Sequence, residues 1–143
     1  IMKEIRTETE IKAGPDKVWQ VLTDFENHKN WNPFIRSIKG DKTVGGSLQA
    51  ELSPPGSGSM KIKPEILVFE REKEFRWKGK IIIPGIFDAE HYFLISSNGN
   101  GSTRFVHGEK FSGILVGALG KMLDKTMLGF EQMNEALKKE CEK

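Results

Sequence analysis

Two histidines and a glutamate are the residues best placed by type and spacing to do chemistry. His91 lies in Ala89-Glu90-His91-Tyr92-Phe93, and His107 and Glu109 lie in Phe105-Val106-His107-Gly108-Glu109. An imidazole beside a carboxylate can work as an acid/base pair, deprotonating a carbon next to a carbonyl or assisting a dehydration. The same groups can orient a ligand, because an otherwise apolar pocket needs a few convergent polar contacts. As purely structural groups they would satisfy one another or cavity water. Two imidazoles and a carboxylate are also a legitimate metal-ligand set. However, no helical His-Glu-x-x-His spacing accompanies them and the third histidine, His28, is elsewhere, so neither metal nor cofactor is expected.

These residues are placed by two strands. The apolar residues Phe87, Ala89, Phe93 and Ile95 share odd positions with His91, and Phe105 and Phe111 share them with His107 and Glu109. Period-two alternation marks a half-buried strand. Asn98-Gly99-Asn100-Gly101 between the two runs is a strong hairpin signal. A turn centred near residue 99 sets His91 opposite either His107 or Glu109. Directly opposed residues have Cβ atoms about 4.5–5.5 Å apart. Either register gathers both imidazoles and the carboxylate on one inner face.

Further elements surround that hairpin. Residues 3–11 alternate as a strand, Gly14-Pro15-Asp16 opens a helix carrying Val18, Trp19, Leu22 and Phe25, and Asn27 to Pro33 holds a second short helix or turn. Leu48, Ala50 and Leu52 alternate, as do Ile62, Pro64, Ile66 and Val68, with Pro64 predicting an edge position or a bulge. Phe75, Trp77, Gly79 and Ile81 alternate next. Arg76 and Arg104, on the opposite parity, read as solvated, as do the mixed charge runs Arg71–Lys80 and Lys138–Lys143. From Ser112 to Glu140 the apolar period changes to three and four, predicting a helix roughly 40 Å long at 1.5 Å per residue. Gly113, Gly117, Gly120 and Gly129 interrupt it, so its first turns are irregular or something packs close to it. The order is strand, two short helices, a run of about six strands and a long amphipathic helix. A twisted antiparallel sheet with that helix across its concave face accommodates it.

Composition narrows the function classes. The chain has 143 residues, 37% hydrophobic and 29% charged, which suits one globular domain. The net charge of +2 argues against a nucleic-acid partner. No apolar run reaches the roughly 18 residues of a membrane span. The single cysteine, Cys141, forms no internal disulfide. A cytoplasmic monomer or weak homodimer without integral membrane association is expected. Gly40–Ser47 has a superficial likeness to a phosphate loop but lacks the Gly-Lys-Ser/Thr ending and opens no long helix.

Several motifs point to a family. They are Ile11-Lys12-Ala13-Gly14-Pro15-Asp16-Lys17-Val18-Trp19 at the first helix, Asp24-Phe25, Trp31-Asn32-Pro33-Phe34, and the turn from Gly40 to Gly46. Glu90-His91-Tyr92-Phe93, Thr103 to Glu109, Phe111-Ser112-Gly113, Gly129-Phe130 and Met133 to Lys138 complete the set. With the element order, the whole chain resembles the START-like (SRPBCC) superfamily, in its polyketide cyclase/dehydrase-like branch. Gly14 departs from the Ser or Pro expected there, which weakens the helix cap. The resemblance implies an α+β helix-grip fold: a seven-stranded antiparallel sheet wrapped around the C-terminal helix, with an apolar cavity between them.

The expected function is binding of a small apolar or amphipathic molecule, without catalysis. Two alternatives stand beside it: a cyclase or dehydratase using His91 or His107 with Glu109, and a protein-interaction module. The candidate wall comprises Phe34, Leu48, Trp77, Ile81, Phe87, His91, Phe93, Phe105, His107, Glu109, Leu119 and Met122. Flexible thioethers at Met122, Met127 and Met133 would suit varied apolar ligands. The Ser53–Ser59 loop, rich in Pro, Gly and Ser, reads either as a gate at the cavity mouth or as a mobile hairpin tip.

Overall fold

A computed structural model describes residues 2–80, 88–114 and 116–143. Strand β1 (Met2–Ile11) leads into α1 (Pro15–Thr23), a single 3-10 turn at Phe25–Asn27 and α2 (His28–Trp31). Strands β2 (Ile35–Gly40), β3 (Leu48–Leu52), β4 (Met60–Ile62), β5 (Glu65–Glu70), β6 (Glu74–Lys80), β7 (Asp88–Ser97) and β8 (Thr103–Ser112) follow. A 3-10 turn at Val116–Ala118 then precedes the long helix α3 (Gly120–Cys141).

Among the described residues, the expected seven-stranded sheet is eight strands in two antiparallel sheets, ordered β1-β8-β7-β6-β5 and β2-β3-β4. Pro64 accounts for the difference. It has no N–H to donate to a ladder, so the alternating run from Ile62 to Val68 splits there, with β4 on one sheet and β5 on the other. The sheets stay in touch at the split. Leu48 N donates to Pro64 O at 2.8 Å and Ile66 N to Gly46 O at 2.9 Å. A register shift between Ile66 and Val68 adds a bulge.

The odd-numbered face of the larger sheet forms the core, with Phe75, Trp77, Phe93, Phe105 and Phe111 buried on it. Covering it from α3 are Leu123, Thr126, Phe130, Met133 and Leu137, spaced three and four residues apart, and from α1 Val18, Trp19 and Leu22. The outer face also carries structure. Arg76, expected to be solvated, is only 17% exposed in its side chain and lies between Glu74 and Glu90 at 2.7 and 2.8 Å. Its guanidinium stacks over the Tyr92 ring at 4.7 Å, because Gly108 directly across from Tyr92 leaves room for that ring to lie flat on the sheet.

The long helix starts later than its apolar period predicts. Strand β8 persists to Ser112, and Gly113 turns the chain at φ +113°, a conformation that favours glycine. Gly129, inside α3, serves close packing. A Cβ there would meet Phe34 Cδ1 at 2.6 Å and Pro55 Cδ at 3.2 Å, so its absence lets the Phe34 ring and the Ser53–Ser59 loop rest on the helix.

Candidate functional site

The β7–β8 hairpin places His91 opposite Glu109 and Phe93 opposite His107. Of the two registers left open by the sequence, this is the one pairing imidazole with carboxylate. The two imidazoles still meet diagonally, with Nε2 of His91 and Nε2 of His107 2.7 Å apart. Both are fully buried. The His107 ring stacks on Phe130 of α3 at a centroid distance of 4.0 Å, and the His91 ring lies 4.7 Å from that of Trp77.

The polar contacts continue away from the hairpin. Nδ1 of His107 lies 2.9 Å from Oδ1 of Asn134, on α3. The Asn134 amide nitrogen donates to Thr7 Oγ1 at 2.8 Å, and the Thr7 hydroxyl donates to the His107 backbone carbonyl at 2.8 Å. At the other end, Nδ1 of His91 has no hydrogen-bond partner among the described residues and faces Glu109 Oε1 at 3.7 Å. Burial pushes the His107 imidazole well below the usual histidine range, the neighbouring His91 pushes it the same way, and the contact with Asn134 opposes them. Among the described residues no group of three or more His, Cys, Asp and Glu side chains is arranged to hold a metal ion.

Glu109 reaches an open space. A cavity of about 350 Å³ lies between the two sheets and the first half of α3. Its wall includes Leu52 of β3, Pro54 just beyond it, Met60 and Ile62 of β4, Trp77 and Gly79 of β6, and Ala89 of β7. Glu109 and Phe111 of β8, Phe34, and Leu119, Met122 and Thr126 around the start of α3 complete it. Among the described residues, Glu109 is the sole titratable group in that wall. The Thr126 hydroxyl is occupied, donating to Met122 O at 2.9 Å.

The predicted wall residues divide into three groups. Phe34, Trp77, Glu109, Leu119 and Met122 border the cavity. Leu48, His91, Phe93, Phe105 and His107 are fully buried in the surrounding core, behind the wall. Ile81 and Phe87 lie outside the described residues. Of the other methionines in α3, Met133 is buried and Met127 is 42% exposed. The Ser53–Ser59 loop contributes Pro54 to the wall and is tied to α3 where Lys125 Nζ donates to Gly56 O at 3.2 Å.

His28 and Asn32 form a second buried polar pair, and its role is to place Phe34. The His28 Nε2–H donates to Leu22 O at 2.6 Å, and Nδ1 accepts from the Asn32 amide at 3.0 Å. Asn32 Oδ1 then accepts from the backbone N–H groups of Phe34 and Ile35, both at 2.9 Å. Trp31-Asn32-Pro33-Phe34 is thus a hydrogen-bonded turn that presents the Phe34 ring to the cavity.

Comparison with known proteins agrees with this architecture. Residues 2–142 match the family described as polyketide cyclase/dehydrase and lipid transport, and the chain belongs to that family. No curated protein matches it by sequence. Among solved structures, norcoclaurine synthase from Thalictrum flavum, a point mutant in complex with a transition-state analogue, is similar at a TM-score of 0.75 and 15% identity, covering 99% of this chain and 94% of that one. An aromatase/cyclase from a Streptomyces species is similar at a TM-score of 0.71 and 15% identity, with coverage of 99% and 94%. A Thermus thermophilus protein reaches a TM-score of 0.74 at 19% identity, covering 97% of both chains. At such identities the likeness establishes the helix-grip fold alone. Among the described residues no helix is long and apolar enough to cross a membrane.

Proposed function

We propose that this protein binds a small apolar or amphipathic molecule in the cavity between its sheets and α3. One observation carries the reading: a space of about 350 Å³ whose wall, among the described residues, is aromatic and aliphatic apart from Glu109 and the occupied hydroxyl of Thr126. That volume lies within the roughly 300–1,000 Å³ range of small-molecule pockets. Each 100 Å² of apolar ligand surface buried contributes about 2.5 kcal/mol, less the cost of association. Family membership in a group that includes lipid transport supports the same reading.

Native mass spectrometry of freshly purified protein, followed by solvent extraction, tests it. The expected result is a bound species that transfers to the organic phase. Protein that carries no such species and takes up no added naphthalene-sized probe would refute it.

A second reading, catalysis of the cyclase or dehydratase type, is favoured by the Glu109 carboxyl standing in the wall with Nδ1 of His91 behind it. In that reading Glu109 touches the substrate and His91 accepts or returns the proton. Turnover of an identified substrate that survives Glu109→Leu within a few-fold would exclude it.

A further inference from the structure

Strand β1 borders the larger sheet, and among the described residues it pairs with β8 alone. That pairing is unbroken from Met2 to Ile11. In an antiparallel ladder the N–H and C=O of one residue point the same way, and successive residues alternate sides. The Glu10 carbonyl points toward α3, where it accepts from Lys138 Nζ at 2.9 Å. Met2, Glu4, Arg6 and Glu8 therefore turn their backbone groups to the same edge, and the odd-numbered residues bond β8. One end of the edge is sealed: Lys138 holds Glu10 O, and Glu142 accepts from the Lys12 N–H at 2.8 Å. From Met2 to Glu8 the edge-facing backbone groups meet no backbone partner among the described residues. A groove of about 320 Å³ runs beside this open stretch, between residues 6–9 of β1 and Met127, Glu131 and Glu135 of α3.

We propose that this edge pairs with the same edge of a second copy of the chain, antiparallel about a two-fold axis at Ile5, so that one sheet runs through the dimer. Charge selects that register. Glu4 then lies opposite the partner's Arg6, and Arg6 opposite the partner's Glu4. Opposite charges directly across an antiparallel pair stabilise it, and like charges destabilise it. Glu4 is already fixed at the edge by the Tyr92 hydroxyl, which donates to its Oε2 at 2.5 Å. On the inner face, Lys3 falls opposite the partner's Thr7, in the groove that holds the partner's Glu131 and Glu135. Pairing about Ile5 runs from Met2 to Glu8, which is the stretch that Lys138 leaves open. Neighbouring registers fail. An axis at Arg6 sets Arg6 on its own copy and Glu4 on Glu8, and an axis at Glu4 sets Glu4 on its own copy. An axis at Thr7 sets Glu4 on Glu10, whose carbonyl is taken. Charged side chains ordinarily guard an edge strand against pairing; here they complement themselves in one register.

Sedimentation equilibrium of the whole chain tests the dimer. Two short edges make a small interface at the weak end of specific association, so a dissociation constant of roughly 10–100 μM is expected. Arg6→Glu surrounds the axis with carboxylates and Glu4→Arg surrounds it with guanidinium groups, so each variant alone should dissociate at least about tenfold more readily. Mixed in equal amounts, the two variants should form a heterodimer about as tight as the wild-type dimer, because each glutamate again faces an arginine. A misfolded variant would give no such rescue, and variants that stay apart in the mixture would overturn the register.

Amide hydrogen exchange on the unmutated protein reads the edge directly. The amides of Glu4, Arg6 and Glu8 should exchange fast in dilute solution. They should slow by about fivefold at a chain concentration about ten times the dissociation constant, where about a fifth of the chains remain monomeric. Ile5, Thr7 and Thr9 should stay protected at every concentration. A chain that remains monomeric to about 1 mM would overturn the proposal and leave the edge to an extended segment of another protein. A dimer that both single variants retain, or one that protects residues away from β1, would overturn it by placing the interface elsewhere. The cavity reading stands or falls separately from these results.

Discussion

Gly129→Ala sets two well-known effects against each other, and the structure says which wins. In an exposed helix interior, replacing glycine with alanine stabilises by about 1 kcal/mol. Here the added Cβ would lie 2.6 Å from Phe34 Cδ1, 2.9 Å from Cε1 and 3.2 Å from Pro55 Cδ. Carbon atoms in favourable contact sit about 3.5–4.0 Å apart, so the Phe34 ring must retreat by about 1 Å. It is packed edge-on against Phe130 at 5.3 Å on one side and borders the cavity on another. The ring therefore has one direction in which to yield, into the cavity. Overpacking of this kind costs about 1–3 kcal/mol, which leaves a net loss of about 0–2 kcal/mol after the gain in helix propensity. The displaced ring also removes roughly one methyl group's worth of ligand contact, about 0.8 kcal/mol or fourfold in affinity. Urea unfolding and titration with 1-methoxynaphthalene measure the two effects. A variant about 1 kcal/mol more stable than wild type, with unchanged probe affinity, would refute the placement of Phe34 against α3.

Three further outcomes are expected. Gly108→Ala would drive a Cβ into the Tyr92 ring and to within 2.7 Å of the Ile5 carbonyl, so urea unfolding should report a loss of about 2 kcal/mol or more; a neutral result would contradict the packing of Tyr92 across Gly108. Asn32→Ala removes the oxygen that accepts from two backbone N–H groups, together with the partner of His28, at a fully buried position, which should cost about 3 kcal/mol and also weaken probe binding through Phe34; an effect on stability alone would detach the turn from the cavity. Burial lowers the pKa of both His28 and His107, so each is neutral in the folded protein at pH values where it is charged in the unfolded chain. Their contribution is complete above the unfolded value of about 6.5 and is lost as pH falls below it, with a limiting slope of about 1.4 kcal/mol per pH unit for each. Urea midpoints that stay flat from pH 7 to pH 5 would contradict their neutral burial.

Local rules made the hairpin legible. Alternation and the Asn-Gly turn placed His91, His107 and Glu109 on one face and narrowed the register to two choices, of which the structure takes the one pairing His91 with Glu109. Pro64 signalled an interruption, although nothing local indicated that the chain would change sheets there. The start of α3 was hidden because Leu115 and Leu119 continue the helical spacing upstream, while Gly113 turns the backbone instead. The far half of the polar chain joins Asn134 to Thr7 across 127 residues, and no periodicity specifies which helix position meets which strand position. Asn134 did leave one mark, a buried polar side chain on the apolar stripe of α3 between Met133 and Leu137. Much of the wall also escaped prediction. Leu52, Pro54, Met60, Ile62, Ala89 and Thr126 border the cavity through the relative placement of two sheets and a helix, which strand parity does not encode.

Occupancy of the cavity is best tested by locating a ligand within it. Intermolecular nuclear Overhauser effects from 1-methoxynaphthalene to the protein's methyl groups provide that location directly. Contacts to Met60, Ile62, Leu119 and Met122, which border the cavity from both sides, are the predicted result. Contacts confined to the exposed side chains of Met2, Val44 or Leu128 would contradict the account, because they would place the probe on the surface.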